Sequence, residues 1–218
     1  MSKERLSFVK QSNRFCVLSD RSLTGKIPND ILSLYEVHEW KHAAAVLVQD
    51  FPDQLDDIID VLRRFRLSRH DILEAGGGKS RAAIALDEAL RTRGWAPKRW
   101  NTAILLDGQR RESPTHEVDC FKHGVALEIE WSNKDPFYDR DLNNFRLLFD
   151  LRAISVGVII TKSNELAALF GELGVWSKYG TTTTWMSKLL PRIEGGGGGG
   201  CPVIVFGIRR RLVEGAER

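Results

Sequence analysis

The stretch over residues 125–131 is the feature that most restricts what this chain can fold into. It reads VALEIEW, so apolar residues alternate with small or acidic ones. A two-residue repeat predicts a β-strand, because successive side chains of a strand point to opposite faces of the sheet. Val125, Leu127 and Ile129 are then expected to face the core, while Glu128 and Glu130 share the other face. The fold must therefore accommodate two carboxylates on one face of a single strand.

A strand that ends near residue 120 precedes this one, and a turn centred on residues 122 and 123 would join the two as a hairpin. Such a turn puts Asp119 opposite Ala126, on the face that carries Glu128 and Glu130. A one-residue slip between the strands would break this arrangement. Three carboxylates on one face repel one another unless they are solvated, paired with basic groups or bound to a hard divalent cation. On spacing alone, an exposed strand face with ordinary surface acids is the main alternative.

The rest of the chain alternates helical and strand patterns. Spacing of apolar residues predicts helices over residues 53–66, 80–93, 139–151, 163–174 and 181–190, the last with a threonine cap, and a helix beginning near residue 31. Buried strands are predicted over residues 153–162 and 202–210. This order predicts an α/β fold, a mixed β-sheet flanked by helices. The six glycines at 195–200 predict a flexible loop before the last strand, and residues 1–30 are expected to form an N-terminal extension.

Composition excludes several classes of protein. The 218 residues are 42% hydrophobic and 28% charged, which is ordinary for a globular chain and untypical of a disordered or disulfide-rich one. No apolar run reaches the roughly 18 residues of a membrane span. The first 14 residues lack a signal-peptide pattern, so we expect a cytoplasmic protein without a membrane partner. Three cysteines without C-x-x-C spacing argue against a structural zinc site and a disulfide framework. A net charge of +3 permits a polyanion partner without requiring one.

Two further motifs fit other chemistries poorly. The GGGKS segment at 76–80 resembles the end of a phosphate-binding loop, but Leu73 stands where that loop requires its first glycine. His38, Glu39 and His42 have the H-E-x-x-H spacing of a zinc-protease site, but we interpret the two histidines as partly exposed residues of a predicted helix. Neither an ATPase nor a zinc site is predicted.

Several segments, taken in order, resemble the BglII/BstYI family of type II restriction endonucleases, a branch of the PD-(D/E)xK nuclease superfamily. They are Asp119, followed after eight residues by EIEWSN at 128–133, and then VGVIITK at 156–162. The similarity extends back to ALDEALRTRGW at 85–95 and forward to PVIVFGI at 202–208, so that it covers residues 31–210. It implies a restriction-endonuclease-like core, with residues 31–218 forming the catalytic and DNA-binding domain.

The resemblance also implies roles for particular residues. Asp119, Glu128 and the backbone carbonyl of Ile129 match the family's metal ligands, and the implied cofactor is Mg²⁺. Glu130 stands where most of the superfamily has lysine, BglII-like enzymes have glutamine and BamHI-type relatives have glutamate. As the third catalytic residue it would orient or deprotonate the attacking water. Val118 replaces the proline that is usual in the superfamily. Neither the change at residue 118 nor the one at residue 130 removes a metal ligand. Glu88, on the preceding helix, is either an additional acid or part of a solvated helix face.

The residues after the catalytic strand are expected to contact DNA. Ser132 and Asn133 match the family positions that read bases, and asparagine can form two hydrogen bonds with adenine. The alternative is that both are turn residues that end the strand. Lys134, Arg140 and Arg146 are either further contacts with phosphates or guanine, or part of a solvated loop and helix face. Basic clusters at 63–69 and 209–211 would either hold the DNA backbone or lie on an ordinary solvated surface.

These inferences predict a Mg²⁺-dependent enzyme that hydrolyses phosphodiester bonds of double-stranded DNA at a short palindrome. The resemblance suggests a site containing GATC, cut to leave 5′ overhangs. Reading a palindrome symmetrically requires a two-fold homodimer, and a cognate DNA methyltransferase is expected in the same system. Two alternatives stay open: a DNA-binding protein on the same fold that does not cleave, and a repair or defence nuclease without sequence preference. Glu130 in place of lysine, with the modest net charge, motivates the first.

Overall fold

The computed structural model describes residues 22–74 and 78–215, and a six-stranded mixed sheet lies at its centre. The strands of these residues are β1 Tyr35–Trp40, β2 Ala96–Lys98, β3 Ala103–Leu106, β4 Gln109–Glu112, β5 Val118–Lys122, β6 Val125–Ile129, β7 Val156–Lys162 and β8 Val203–Ile208. Their order across the sheet is β1-β8-β7-β6-β5-β2, while β3 and β4 form a separate ribbon. Strands β6, β7 and β8 are parallel, and the other pairs are antiparallel.

Helices cover both faces of this sheet, which confirms the predicted architecture. They are α1 Asn29–Leu34, α2 Ala43–Asp50, α3 Pro52–Arg64, α4 Arg69–Leu73, α5 Arg81–Arg91, α6 Phe137–Asp150, α7 Leu166–Glu172, α8 Trp176–Tyr179 and α9 Met186–Glu194. Helices α6 and α9 pack on one face, and most of the others on the opposite face. Strands β6, β7 and β8 are therefore buried along their whole length, as parallel strands between two helical layers must be. In the described part of the chain, no helix is long and apolar enough to cross a membrane.

The described end of the predicted N-terminal extension belongs to the core. Leu23 and Ile27 precede the predicted boundary at residue 30, yet both are buried in the same apolar cluster as Ile31 of α1. Residues 1–21 of that extension lie outside the described residues.

The hairpin of β5 and β6 forms with its turn one residue later than predicted. Lys122 pairs with Val125, and the two loop residues are His123 and Gly124, with φ angles of 42° and 88°. A two-residue hairpin turn of this kind needs positive φ at both central positions, which places glycine inside the turn. Moving the centre by one residue changes each cross-strand partner by two, so the faces are unchanged. Phe121 now lies opposite Ala126, and the expected grouping of the three acids on one face is kept.

Two local predictions were wrong. His38 lies in β1, and His42 adopts a φ of 59° just before α2, so the predicted helix through both residues does not form. Strand β1 pairs along its full length with β8, and this tertiary pairing overrides the local pattern. The threonine cap is also absent: α9 begins at Met186 without a side-chain cap. The hydroxyl of Thr183 instead donates to the carbonyls of residues 179 and 180.

The glycines at 195–200 form consecutive turns, where a flexible loop was predicted. The Gly197 N–H donates to the Arg192 carbonyl, and the Gly199 N–H donates to the Gly196 carbonyl, both at 2.9 Å. A Cβ atom added at Gly199 would lie 2.6 Å from the Arg146 side chain. The absence of side chains therefore lets this loop pack closely against α6 before the chain enters β8.

Candidate active site

The backbone ladder between β5 and β6 ends at the pair Cys120–Leu127, and Asp119 and Glu128 stand immediately beyond it. The Asp119 N–H donates to Glu128 Oε2 at 3.2 Å, and the Ile129 N–H donates to Asp119 Oδ2 at 3.0 Å. Each carboxylate thus accepts a backbone N–H that would have bonded to a backbone carbonyl if the two strands had paired for one more residue. This reciprocal bonding, which we call the acidic fork, holds the two carboxyl groups side by side.

The Ile129 backbone offers a third oxygen to the acidic fork. In an extended strand, the N–H and C=O groups of one residue point toward the same edge. Because the Ile129 N–H is directed at Asp119, its carbonyl faces the same side. The structure therefore brings together the three groups that the resemblance assigned to the metal, and all of them are oxygen donors of the kind that Mg²⁺ prefers.

Glu130 follows on the same face and is buried, with 1% of its surface exposed. Its Oε1 accepts a hydrogen bond from Asn133 Nδ2 at 3.0 Å and lies 3.5 Å from Arg140 Nη2. Its backbone N–H donates to the Ile160 carbonyl at 2.8 Å, which fixes the end of β6 against β7. The predicted catalytic residue Glu130 and the predicted base-reading residue Asn133 are thus in direct contact.

A fourth acid, Asp141, enters this space from α6, and sequence reasoning missed it. The side chain is fully buried, and its Oδ1 accepts from Arg140 Nε and Nη2 at 2.9 and 2.7 Å. Its carboxyl group lies within hydrogen-bonding distance of that of Glu130. Asp141 falls between Tyr138 and Phe145 on the apolar stripe of α6. A charged residue inside such a stripe is the signal from which it could have been found.

Burial and mutual repulsion raise the pKa values of these acids. Burial raises the pKa of Glu128 well above its ordinary value, and the negative charges of Asp141 and Asp119 add to the effect. The pKa of Glu130 is raised to about 9 by burial and then by the charge of Asp141. Burial also raises the pKa of Asp141. A nearby cation would reverse this trend, because it stabilises the ionised carboxylates.

Three buried oxygens of the cluster have no hydrogen-bond donor: Glu128 Oε1, Glu130 Oε2 and Asp141 Oδ2. Buried carboxylate oxygens are unfavourable in that state unless they are protonated or bound to a cation. Within residues 22–74 and 78–215, no three His, Cys, Asp or Glu side chains already form a metal site. The all-oxygen donor set and the unpartnered oxygens fit a hard divalent cation.

An open cleft of about 430 Å³ lies in front of the acidic fork. Asp119, Ile129, Ser132 and Asn133 line it, as predicted site residues. The other lining residues are Gly78, Lys79, Ser80, Ala83, His116, Glu117, Trp131, Phe137 and Arg140. Lys79 belongs to the GGGKS segment, which does not match a phosphate-binding loop, and His116 comes two residues before β5. Both residues line the cleft because the chain segments just before α5 and just before β5 form part of its wall.

Lys134 and Arg146 do not line this cleft. Lys134 Nζ donates to Thr182 Oγ1 at 3.2 Å, and Arg146 packs against the turn at Gly199. Their assignment to DNA contacts stays a prediction that concerns surface outside the cleft.

The acid that α5 directs inward is Asp87, and Glu88 is exposed. Asp87 accepts hydrogen bonds from Lys79 at 2.8 Å and from Arg91 at 3.0 Å. Its Oδ1 also lies 3.4 Å from the thiol of Cys120. The structure therefore favours a solvated helix face for Glu88, and Asp87 neutralises part of the positive charge at the cleft wall.

Most of the arginines in the two basic clusters have acidic partners on the surface. The pairs are Arg63–Asp30 at 2.6 Å, Arg64–Asp60 at 2.8 Å, Arg209–Glu165 at 3.5 Å and Arg210–Glu172 at 3.3 Å. Such pairing favours an ordinary solvated surface for these clusters.

Lys162, the last residue of β7, is a fully buried lysine that sequence reasoning also missed. Its Nζ donates to the Trp131 carbonyl and lies 5.0 to 5.9 Å from the ring centres of Trp131, Tyr179 and Trp185. Burial lowers the pKa of Lys162 well below its ordinary value. The contact fixes the backbone between Glu130 and the cleft residues that follow it.

The chain has a mixed sheet, and its acids lie where the antiparallel hairpin of β5 and β6 meets the parallel strand β7. This arrangement defines a nuclease of the restriction-endonuclease fold. The family model described as restriction endonuclease BglII/BglIII matches residues 35–208, from the first residue of β1 to the last of β8. The chain therefore belongs to the BglII/BglIII restriction endonuclease family, whose members hydrolyse DNA and generally use divalent metal ions. A search of curated proteins gave no match.

Proposed function

We propose that this protein is a type II restriction endonuclease that uses Mg²⁺ to cut double-stranded DNA at a short palindrome. The observation that carries the proposal is the acidic fork, in which Asp119 and Glu128 are held side by side at the wall of an open cleft. By resemblance to the BglII/BstYI family, the site is proposed to contain GATC and the cut to leave 5′ overhangs. A homodimer, a cytoplasmic location and a cognate DNA methyltransferase complete the proposal.

Asp119, Glu128 and the Ile129 carbonyl would hold the metal ion. Bound Mg²⁺ supplies positive charge to the scissile phosphate and lowers the pKa of a water molecule. The backbone hydrogen bonds at 3.2 and 3.0 Å fix both carboxyl groups before any ligand arrives. Little reorganisation is then needed during the reaction, and fixed groups of this kind are the most effective electrostatic catalysts.

Glu130 is the residue that would orient the attacking water and accept its proton. Asn133 and Arg140 hold its Oε1, so that Oε2 is left for the water. The positive charge of Arg140 favours the ionised carboxylate that a general base requires. Glu130 would thereby replace the lysine found in most of the superfamily, with Arg140 supplying the missing positive charge.

Ser132 and Asn133 would read bases from the wall of the cleft. An amide carries two N–H donors and one carbonyl acceptor. One donor of Asn133 is engaged with Glu130, and the remaining donor and acceptor are the pair that recognises adenine. Lys134 and Arg146 are proposed to contact the DNA beyond the cleft, where phosphate contacts would set the register of the protein on the duplex.

A DNA-binding protein without cleavage is the second candidate, because Glu130 occupies the usual lysine position and its burial opposes ionisation. A third is a nuclease without sequence preference. The three differ in their products, so a direct cleavage assay distinguishes them.

The test is to incubate the purified protein with unmethylated plasmid and with a large genomic DNA, in Mg²⁺ and in EDTA. Discrete, Mg²⁺-dependent fragments whose ends map to palindromes containing GATC are expected. A smear would instead indicate the nuclease without sequence preference. Intact DNA together with a gel shift would indicate the protein that binds without cutting. The Asp119→Asn protein is the matched control for a contaminating nuclease.

A further inference from the structure

We propose that Lys162 is a positioning residue that holds the reading segment, residues 132–135, in place beside the acidic fork. The inference rests on the proposed function, which assigns base reading to Ser132 and Asn133 in this segment. Lys162 ends β7, and its Nζ donates to the backbone carbonyl of Trp131. Trp131 comes directly before the segment, so the lysine fixes the point from which the segment starts.

The amine of Lys162 stands in a closed aromatic cage. The ring centres of Trp131, Tyr179 and Trp185 lie 5.4, 5.9 and 5.0 Å from Nζ, and the residue is fully buried. Phe170 packs against the same three rings. Within the described residues, the Trp131 carbonyl is the acceptor that the amine uses. The rings therefore set the position of the amine, and the amine sets the position of that carbonyl.

Packing alone does not require a lysine at this place. An apolar side chain of similar length would fill the cage without burying an amine, and burying an amine without a carboxylate partner is unfavourable. A methionine would have the length but would lack the N–H donor. The hydrogen bond to the Trp131 carbonyl is therefore what the lysine adds to this site.

This hydrogen bond holds the chain where β6 leaves the sheet. The Glu130 N–H donates to the Ile160 carbonyl of β7 at 2.8 Å, just beyond the ladder of the two strands. Trp131 follows, and Lys162 reaches its carbonyl from the same neighbouring strand. The chain is thus held to β7 for one residue more, and Ser132 begins from a fixed point at the wall of the cleft.

The other support of the reading segment also meets the cage. The Thr184 N–H donates to the Asn133 carbonyl at 2.9 Å. Trp185, the next residue, contributes the ring that lies nearest to the Lys162 amine. One amine therefore contacts both supports of the segment, namely the carbonyl before Ser132 and the residue after Thr184.

Loss of this contact should change the choice of substrate more than the affinity for DNA. Asn133 Nδ2 donates to Glu130 Oε1 at 3.0 Å, so a displaced reading segment also disturbs the residue proposed to orient the water. Base contacts depend on this fixed geometry, whereas phosphate contacts supply a large share of the affinity for any sequence. The rate of cleavage should therefore fall mainly on the correct site.

The experiment compares the wild type with Lys162→Met, which fills the cage with an unbranched apolar chain and has no donor. The probes are a short duplex with the site mapped from wild-type cleavage, and a duplex with one base pair of that site changed. Single-turnover rates are measured on both duplexes with Mg²⁺. We expect the ratio of the two rates to fall about tenfold, which is the discrimination of one well-placed base contact, while gel-shift affinity stays close to that of the wild type.

Two further variants separate positioning from stability. Lys162→Gln keeps an N–H donor on a shorter chain, so its ratio should lie between those of the wild type and Lys162→Met, and it gives the same comparison if the methionine variant does not fold. Ile58→Val, in the core of α3, is the control for stability, because it removes a buried methylene outside the cage. It should keep the wild-type ratio, since a ratio of rates does not depend on the fraction of folded protein.

The possible failures are distinguishable. An unchanged ratio in folded Lys162→Met, or an equal loss of rate on both duplexes, overturns the positioning role of Lys162 and leaves the proposed function standing. A wild-type protein without a preferred site contradicts the proposed function itself, and the role of Lys162 in reading falls with it.

Discussion

Asp119 has two roles at the scale of a single residue: it accepts the Ile129 N–H and it faces the cleft. We predict that Asp119→Ala lowers the cleavage rate by at least about a hundredfold, because losing a group that merely supports a metal ligand already costs about 10–100-fold. DNA binding should be retained or tightened, because a negative charge near the phosphates is removed. Plasmid cleavage and gel-shift assays measure the two effects separately.

Glu128→Ala is expected to behave in the same way, since Glu128 is the other member of the acidic fork. Asp139→Ala, which alters an exposed acid on α6, should cut at the wild-type rate. Normal cleavage by either fork variant would falsify the proposed metal site.

At the scale of the element, the hairpin turn fixes where the acids lie, and Gly124 fixes the turn. A Cβ atom at Gly124 would lie 3.1 Å from the Phe51 ring, on a residue with a φ of 88°. We predict that Gly124→Ala lowers the free energy of unfolding by about 1–2 kcal/mol for the left-handed backbone, and by about 1 kcal/mol more for crowding against Phe51. Urea unfolding measures the change.

Gly94→Ala is the control for this prediction. Gly94 has a φ of 83° and nothing within 4 Å of an added Cβ atom, so it should show the backbone cost alone. Equal losses in the two variants would contradict the crowding against Phe51.

The sequence contained enough to predict the central elements and the faces of the acidic hairpin. A two-residue repeat identifies a strand and its two faces together, so the grouping of Glu128 with Glu130 did not depend on the exact turn. Strand β1 was missed because its strand conformation depends on pairing with β8, which is distant in sequence. Long-range pairing of this kind leaves no local periodicity.

The missed site residues have one cause in common. Asp141, Asp87 and Lys162 are charged residues at positions that the helix or strand pattern assigns to the core. Charged residues are almost never fully buried unless they are paired, so none of the three was singled out as a buried site residue. For these three residues, the position within the periodic pattern of the helix or strand is better evidence of burial than the residue type.

At the scale of the whole molecule, the described residues of one chain carry a single acidic fork, at one cleft. One such site hydrolyses one strand at a time, while a cut through both strands of a palindrome needs two sites related by a two-fold axis. The proposed homodimer supplies them, with one active site for each strand. Sedimentation should therefore give twice the mass of the single chain.

The dimer makes a further prediction that mass alone does not test. Wild-type protein is mixed and equilibrated with a large excess of Asp119→Ala protein, so that most wild-type chains are paired with an inactive partner. Each mixed dimer then has one working site, and nicked circles should accumulate from supercoiled plasmid before linear DNA appears. If single chains acted independently, the excess variant would only slow the reaction by competing for DNA, and the ratio of nicked to linear product would match that of the wild type. The ratio of nicked to linear DNA, followed over time on an agarose gel, distinguishes the dimer from independent single chains because it does not depend on the total rate.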